Sequence, residues 1–333
     1  MWRRSGRTSP LGSEPRSGLI VRWLSPFRRR PLAPVRRWRV PPLRRAWATL
    51  FFLVAMTMAV AQSPAVEPPQ RIISAAPSIT EMLYVLGLGN RVVGVTTFCH
   101  YPPEVRDKPK IGSYMKPNIE TMLAMRPDLV VILNEHAGLG DRIRNVGLNV
   151  LELENNSLDG IYQSLRELGR RCGVADTAEE RIQEMRAALS EIKSRAGKTP
   201  RRSVMFIVGR TPGAIRDLVV VGRGSYLNEL ITIAGGRNLF GDSAAFYPKI
   251  GLEQLYAGRP EVIIDMGDMA DTDRVTEVHK RSVTQLWRKY PMVPAVTAGL
   301  VYPVANDIFV VPGPRVVETA SELLRMIHPE AVE

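Results

Sequence analysis

Beyond residue 70 the chain alternates short apolar runs with stretches whose apolar positions recur every three or four residues. This is the pattern of βα units built on a largely parallel sheet. Ile72-Ile73-Ser74 and Val92-Val93-Gly94-Val95 read as strands around a helix beginning near Ser78, where Ser78-Ile79-Thr80-Glu81 spells a capping box. Leu129 to Leu133, Val150 to Leu153, Ser203 to Val208, Val262 to Asp265 and Leu300 to Val304 read as further strands. In mid-chain, Thr177-Ala178-Glu179-Glu180 spells another capping box, and Ile182, Met185, Leu189, Ile192 and Ala196 follow at helical spacing until Gly197 and Pro200 end the pattern. These positions predict one amphipathic helix of about 20 residues and roughly 30 Å. Such a helix is a stiff connector, which permits rocking of the parts it joins and resists wide hinge closure.

The halves on either side of this helix repeat one another. Residues 118–133 align without a gap on residues 251–266: Glu120 falls on Glu253, Ala124 on Ala257, Arg126-Pro127-Asp128 on Arg259-Pro260-Glu261, and strand on strand. Proline cannot continue a helix and favours an extended residue before it, so each unit reads as a short helix stopped before a buried strand. Ser78 to Gly87 pairs more weakly with Ser225 to Gly235 around Glu81 and Glu229, and Gly147-Leu148 pairs with Gly299-Leu300. Three units recurring in one order predict an α/β protein of two similar lobes, each with a mainly parallel sheet, joined by one long helix. The expected boundaries are leader 1–61, linker 62–70, first lobe 71–176, helix 177–198 and second lobe 199–333.

Charge changes the picture at the N-terminus alone. The chain carries a net charge of +12, and residues 1–45, with thirteen arginines and a single acid, Glu14, hold the whole excess. The remainder is neutral, which argues against nucleic-acid binding by the folded part. Ala46 to Val60 is an uncharged apolar run after Arg44-Arg45, followed by Ala59-Val60-Ala61. That is the anatomy of a signal peptide cleaved near Ala61, too short for a membrane span of about 20 residues. The arginine pairs continue poorly as a twin-arginine signal, and no Cys follows the run to carry a lipid. An exported, soluble, periplasmic protein is expected. Cys99 and Cys172, the two cysteines of the chain, then read as a disulfide because the compartment is oxidising, the other reading being two separate buried thiols.

Enzyme signatures for phosphate loops, nucleophile elbows and zinc hydrolases are missing from the sequence. Gly222-Arg223-Gly224-Ser225 reads as an anion cradle or simply a tight turn. His100, His136, His279 and His328 are too scattered for a zinc or manganese receptor, although His100 or His136 would suit haem iron. Two cysteines do not supply the thiolates of a metal-cluster oxidoreductase, the enzymatic rival of related architecture.

Several motifs in order carry a resemblance. They are Arg71 to Glu81 (RIISAAPSITE), the turn Cys99 to Glu104 (CHYPPE), Lys110 to Tyr114 (KIGSY), Asn118-Ile119-Glu120 with its Arg-Pro-Asp, and Tyr247 to Glu253 (YPKIGLE). Together they resemble the helical-backbone substrate-binding proteins of ABC importers, nearest to the periplasmic cobalamin-binding group, from about Arg71 to Ile327. The resemblance implies a non-enzymatic, monomeric receptor with a ligand cleft between the lobes and little closure on binding. It implies importer transmembrane subunits as partners, docked through Glu120 and Glu253. By matching position it also implies ligand contacts at Phe98 and Tyr114 on the first lobe and Tyr247 and Asp307 on the second, with Phe246 and Phe309 beside them. Flat rings from both lobes suit a large planar macrocycle. The expected ligand is cobalamin or a related corrinoid, with haem or a ferric siderophore as the alternative. Arg210 facing the cleft would favour the alternative by pairing with a carboxylate, its other reading being a solvated loop arginine. Of five Trp only Trp287 lies beyond the leader, fewer than the cobalamin binders use.

Overall fold

The structure is a computed structural model that describes residues 67–135, 138–267 and 276–331. The leader, the apolar run and the proposed cleavage site lie outside the described residues, as does His136.

The first lobe runs β1 (Ile72–Ser74), α1 (Pro77–Val85), β2 (Val92–Val95), α2 (Ile119–Ala124), β3 (Leu129–Leu133), α3 (Leu139–Asn145), β4 (Val150–Leu153) and α4 (Leu158–Cys172). Its four strands form one parallel sheet in the order β2-β1-β3-β4. All five residues of β3 are buried, as a strand covered on both faces requires. Helix α5 (Ala175–Ala196) leads to the second lobe: β5 (Arg202–Gly209), β6 (Leu218–Val220), α6 (Tyr226–Ile233), β7 (Gly236–Asn238), β8 (Lys249–Ile250), α7 (Leu252–Gly258), β9 (Val262–Asp265), α8 (Glu277–Trp287), α9 (Pro294–Thr297), β10 (Val301–Pro303) and α10 (Val316–Ile327).

The parallel order of the first lobe returns in the second as β7-β5-β9-β10. The difference is an addition. Strand β5 has eight residues; its first half pairs with β7, and its second half pairs antiparallel with β6, which pairs antiparallel with β8. The second sheet is therefore mixed, and the segment between β7 and β8 carries Phe246 and Tyr247.

The repeat extends to two hydrogen bonds in each lobe. The Asp128 carboxylate accepts from the Arg71 amide at 2.9 Å, and the Asp128 amide donates to the Arg71 carbonyl at 3.0 Å. In the second lobe the Glu261 carboxylate accepts from the Ser203 amide at 2.6 Å, and the Glu261 amide donates to the Ser203 carbonyl at 3.0 Å. Each acid thus fastens the start of its lobe's central strand. One expectation fails here: Arg126 and Arg259 are not extended but left-handed, at φ 47° and 45°. That conformation avoids the right-handed region that proline disfavours, and it turns the Arg259 amide back to the Leu255 carbonyl at 3.2 Å, closing the helix.

Both expected capping boxes fail as well. Helix α5 starts two residues before Thr177, after Val174, and α1 starts after Ala76; neither has a side-chain cap. The apolar stripe of α5 behaves as its spacing predicts: Ile182, Met185, Leu189, Ile192 and Ala196 are buried in a core that includes Ile72 and Leu165 of the first lobe and Phe206 and Leu230 of the second. Burying Ile182 alone stabilises the fold by roughly 2 kcal/mol.

Candidate functional site

The turn after β2 shows how one short segment serves both core and surface. Cys99 is fully buried, its sulfur accepting from the Thr80 hydroxyl at 3.1 Å and lying 3.2 Å from that of Thr96. Its neighbour Phe98 is 55% exposed. The buried thiol holds the turn, and the turn presents the ring. Cys172 is buried at the end of α4, and both cysteines are free thiols, which overturns the expected disulfide. Cys99 is occupied by hydroxyl partners inside the first lobe, and Cys172 belongs to a different element. Burial pushes both thiols above their ordinary range.

Tyr114 is half-buried and donates its hydroxyl to Glu135, on the loop after β3, at 3.0 Å. On the second lobe Tyr247 is 45% exposed, with its hydroxyl 3.2 Å from that of Ser225. Burial raises both phenols, helped at Tyr114 by the Glu135 carboxylate and opposed at Tyr247 by the Ser225 hydroxyl. Both rings therefore stay protonated as hydrogen-bond donors at neutral pH. Phe246 is exposed beside Tyr247. The loop carrying these rings is fastened by Gly222, whose amide donates to the Phe246 carbonyl at 2.7 Å. A Cβ there would lie 2.1 Å from the Ala245 carbonyl oxygen, so only glycine allows this approach. Close backbone approach accounts for the Gly222-Arg223-Gly224 motif.

Two expected ligand contacts are placed otherwise. Phe309 is 3% exposed, its ring 5.7 Å from that of Phe206, and is part of the core. Arg210 neither faces a cleft nor meets solvent. Its Nε donates to both oxygens of Asp265 at 3.2 and 3.0 Å, with the two side chains 3% and 0% exposed. The Trp287 indole and the Gly267 amide each donate to Asp265 at 2.7 Å. A buried carboxylate needs such a full set of donors, and Arg210 is one of them.

Asp307 lies at the seam between the lobes and is one-third exposed. Arg315 grips it with two hydrogen bonds of 2.9 and 3.1 Å and grips Glu81 of the first lobe with its Nε, at 3.0 Å, and its Nη2. The guanidinium also lies 4.2 Å from the centre of the Tyr101 ring. Burial raises Glu81 to about 7 against the opposing pull of Arg315. Nearby, Asn155 donates to the Ser78 hydroxyl at 2.8 Å and to the Pro312 carbonyl at 3.3 Å. A cavity of about 740 Å³ opens beside this seam, lined by Glu81, Tyr84, Tyr101, Glu104, Arg315 and Glu318 among others. It shares no residue with the Phe98, Tyr114 and Tyr247 group.

Glu135 and Arg315 were missed in the sequence. Glu135 has no signal there, because its role needs Tyr114 brought to it. Arg315 has one: it stands at the N-terminal cap of α10, where a positive charge opposes the helix dipole, so another interaction must hold it. Of the histidines, His100 is exposed with Nε2 3.1 Å from the Thr97 carbonyl, and His328 is buried between Glu330 and the Gly235 carbonyl. Among the described residues no group of three or more His, Cys, Asp or Glu is arranged to hold a metal ion, and no helix is long and apolar enough to cross a membrane.

Two α/β lobes on one long helix, each presenting exposed rings, define a class of solute-binding receptor. The chain belongs to the periplasmic binding protein family, whose profile matches residues 72–305. It is 29% identical over 270 residues to the uncharacterized ABC transporter substrate-binding lipoprotein YvrC of Bacillus subtilis (strain 168), covering 79% of this chain and 81% of that one. It is 27% identical over 282 residues to the vitamin B12-binding protein of Pectobacterium atrosepticum, covering 83% and 94%. Among solved structures, the periplasmic vitamin B12-binding protein BtuF of Vibrio cholerae superposes with a TM-score of 0.67 at 23% identity, covering 80% and 99%. The apo periplasmic heme-binding protein RhuT of Roseiflexus sp. RS-1 superposes with a TM-score of 0.66 at 24% identity, covering 79% and 99%. These two likenesses show the fold. Membership of the family makes the chain a substrate-binding protein of the ABC-importer type, with a small-molecule ligand and transmembrane importer subunits as partners.

Proposed function

We propose that this protein captures cobalamin or a related corrinoid between Phe98 and Tyr114 of the first lobe and Phe246, Tyr247 and Asp307 of the second. The observation that supports this reading is a pair of tyrosines, one on each lobe, with the Tyr114 hydroxyl held on Glu135 at 3.0 Å and the Tyr247 hydroxyl 3.2 Å from that of Ser225. Rings with polar rims suit a macrocycle edged by amides, which both accept and donate hydrogen bonds. The burial of Arg210 on Asp265 removes the guanidinium that would have favoured a carboxylate-bearing haem or siderophore. The similarity to a vitamin B12-binding protein supports the same choice. Loaded protein then docks on the importer through Glu120 and Glu253, both exposed. Residues 1–61 serve as the export signal, so the N-terminus of the exported protein is expected at or near Gln62.

Calorimetry of purified apo-protein with cyanocobalamin, haemin and a ferric siderophore tests the cargo. A corrinoid is expected to bind with a submicromolar constant, about −8 kcal/mol or stronger, and Tyr114→Ala or Tyr247→Ala to weaken it about tenfold or more. No heat with corrinoids, and a haemin complex whose axial band disappears in His100→Ala or His136→Ala, would replace the corrinoid with haem. Glu120→Ala combined with Glu253→Ala is expected to abolish uptake with ligand affinity unchanged.

A further inference from the structure

The short helices α2 and α7 are the two copies of the internal repeat, and their outward faces match position by position. Neither the Glu120 nor the Glu253 carboxylate, exposed at the helix starts, has a hydrogen bond or ion pair among the described residues. One turn further, Leu123 and Tyr256 are 39% and 42% exposed. Ala124 and Ala257, next to them, are exposed as well. Residues i, i+3 and i+4 share one face of a helix, so each lobe shows solvent a carboxylate, a large apolar side chain and a small one together. The opposite face does the packing: Met122 and Leu255, 0% and 1% exposed, anchor the helices in separate cores. Folding of the lobes therefore gives no reason to keep Leu123 or Tyr256 apolar.

We propose that Leu123 and Tyr256 are apolar anchors of the importer-docking surface, each seated beside its glutamate against one transmembrane subunit. The inference rests on the docking role of Glu120 and Glu253 and extends it. Exposed carboxylates steer an encounter and set its orientation but add little affinity once screened by salt. A buried apolar contact adjacent to the charge supplies the affinity, and tyrosine is among the residues most effective in that role. The same patch presented twice across a pseudo-two-fold fits a partner with two equivalent subunits, each offering a basic pocket with an apolar rim. The copies differ in size, so the second-lobe contact, through Tyr256, is the stronger.

Photo-crosslinking in the native host tests this without knowledge of the cargo. A benzophenone side chain is placed at position 123 or 256 of the full chain, and at 278 or 292 as controls, since Val278 and Met292 are exposed apolar residues elsewhere, at 69% and 79%. Adducts with the importer transmembrane subunit, identified by mass, are expected from 123 and 256 and not from 278 or 292. Leu123→Ser with Tyr256→Ser is expected to reduce cyanocobalamin uptake about tenfold, Tyr256→Ser alone more than Leu123→Ser alone, with ligand affinity of the purified protein within about twofold. Equal adducts from all four positions, or none from 123 and 256, would overturn the proposal. If the serine variant docks normally while Glu120→Ala with Glu253→Ala loses the adducts, the anchors fail and the glutamates stand. If the glutamate variant also docks normally, the docking reading itself fails.

Discussion

Glu81 and Glu229 hold corresponding places in the two lobes, and both reach across the seam into the opposite lobe. Glu81 meets the Arg315 guanidinium, while Glu229 accepts from the Leu158 amide at the start of α4 at 3.1 Å. The first is an ion pair with side chains 3% and 10% exposed; the second supplements a helix cap already served by Ser157. Position in the repeat thus preserves the task, holding one lobe against the other, while the partner decides how strongly the fold depends on it. A buried charge deprived of its partner is costly, whereas a half-buried carboxylate that loses an amide has water within reach.

The sharpest break is Arg315→Met. It leaves Glu81 buried without its counter-charge, and urea unfolding at pH 8 is expected to show a loss of about 3–5 kcal/mol. At pH 5 the deficit should shrink, because Glu81 becomes neutral. An equal deficit at both pH values would mean that the lost contacts with Asp307 and Tyr101, and not the charge on Glu81, are responsible.

Glu81→Gln comes next, with an expected loss of about 1–3 kcal/mol from leaving Arg315 partly unsatisfied. It also tests the titration. Glu81 ionises near 7 when folded, against an ordinary 4.5, so the folded chain holds an extra proton between those values. The stability due to that proton is complete below about 4.5 and is lost as pH rises through about 7. Unfolding free energy measured across this window should flatten in Glu81→Gln relative to the parent.

Glu229→Gln is the mild counterpart. Its amide oxygen can still accept from Leu158, and the expected change is below about 1 kcal/mol. A loss as large as that of Glu81→Gln would dissolve the contrast between the two glutamates. The smallest effect concerns the thiols: titration of the unfolded, unreduced protein should find both Cys99 and Cys172 reactive, and adding reductant should leave the unfolding midpoint unchanged.

The seven strands read from apolar runs appear within one or two residues of their expected ends, as does the long helix, because each is a local pattern with a period. What went unseen was β6, β7 and β8. These are two or three residues long and lie outside the repeated βα units that marked the other short strands, and they pair because β5 is long enough to offer one edge to two partners. Phe98, Tyr114, Phe246 and Tyr247 came forward through resemblance, but exposure separated them from Phe309, and no spacing in the sequence distinguishes a ring in the core from one at the surface. Both capping boxes had the right letters; in the first, Glu81 serves Arg315, more than 200 residues away in the chain.

By itself, then, the sequence determined the two-lobed α/β plan, the repeat and the connecting helix. Each of these follows from covalent neighbours: apolar periodicity, proline at a helix end, and glycine at φ 83° and 72° in Gly147 and Gly299. Tertiary structure decided the state of every polar group whose partner is distant. It turned Arg210 inward to Asp265, kept Cys99 among hydroxyls instead of bonded to Cys172, set Glu135 against the Tyr114 hydroxyl, and made Glu81 and Arg315 a clasp across the seam. The physical reason is that the cost of burying a charge or a thiol depends on what surrounds it within a few ångströms, and for these residues the surroundings are supplied only when the lobes close on one another and on their own sheets.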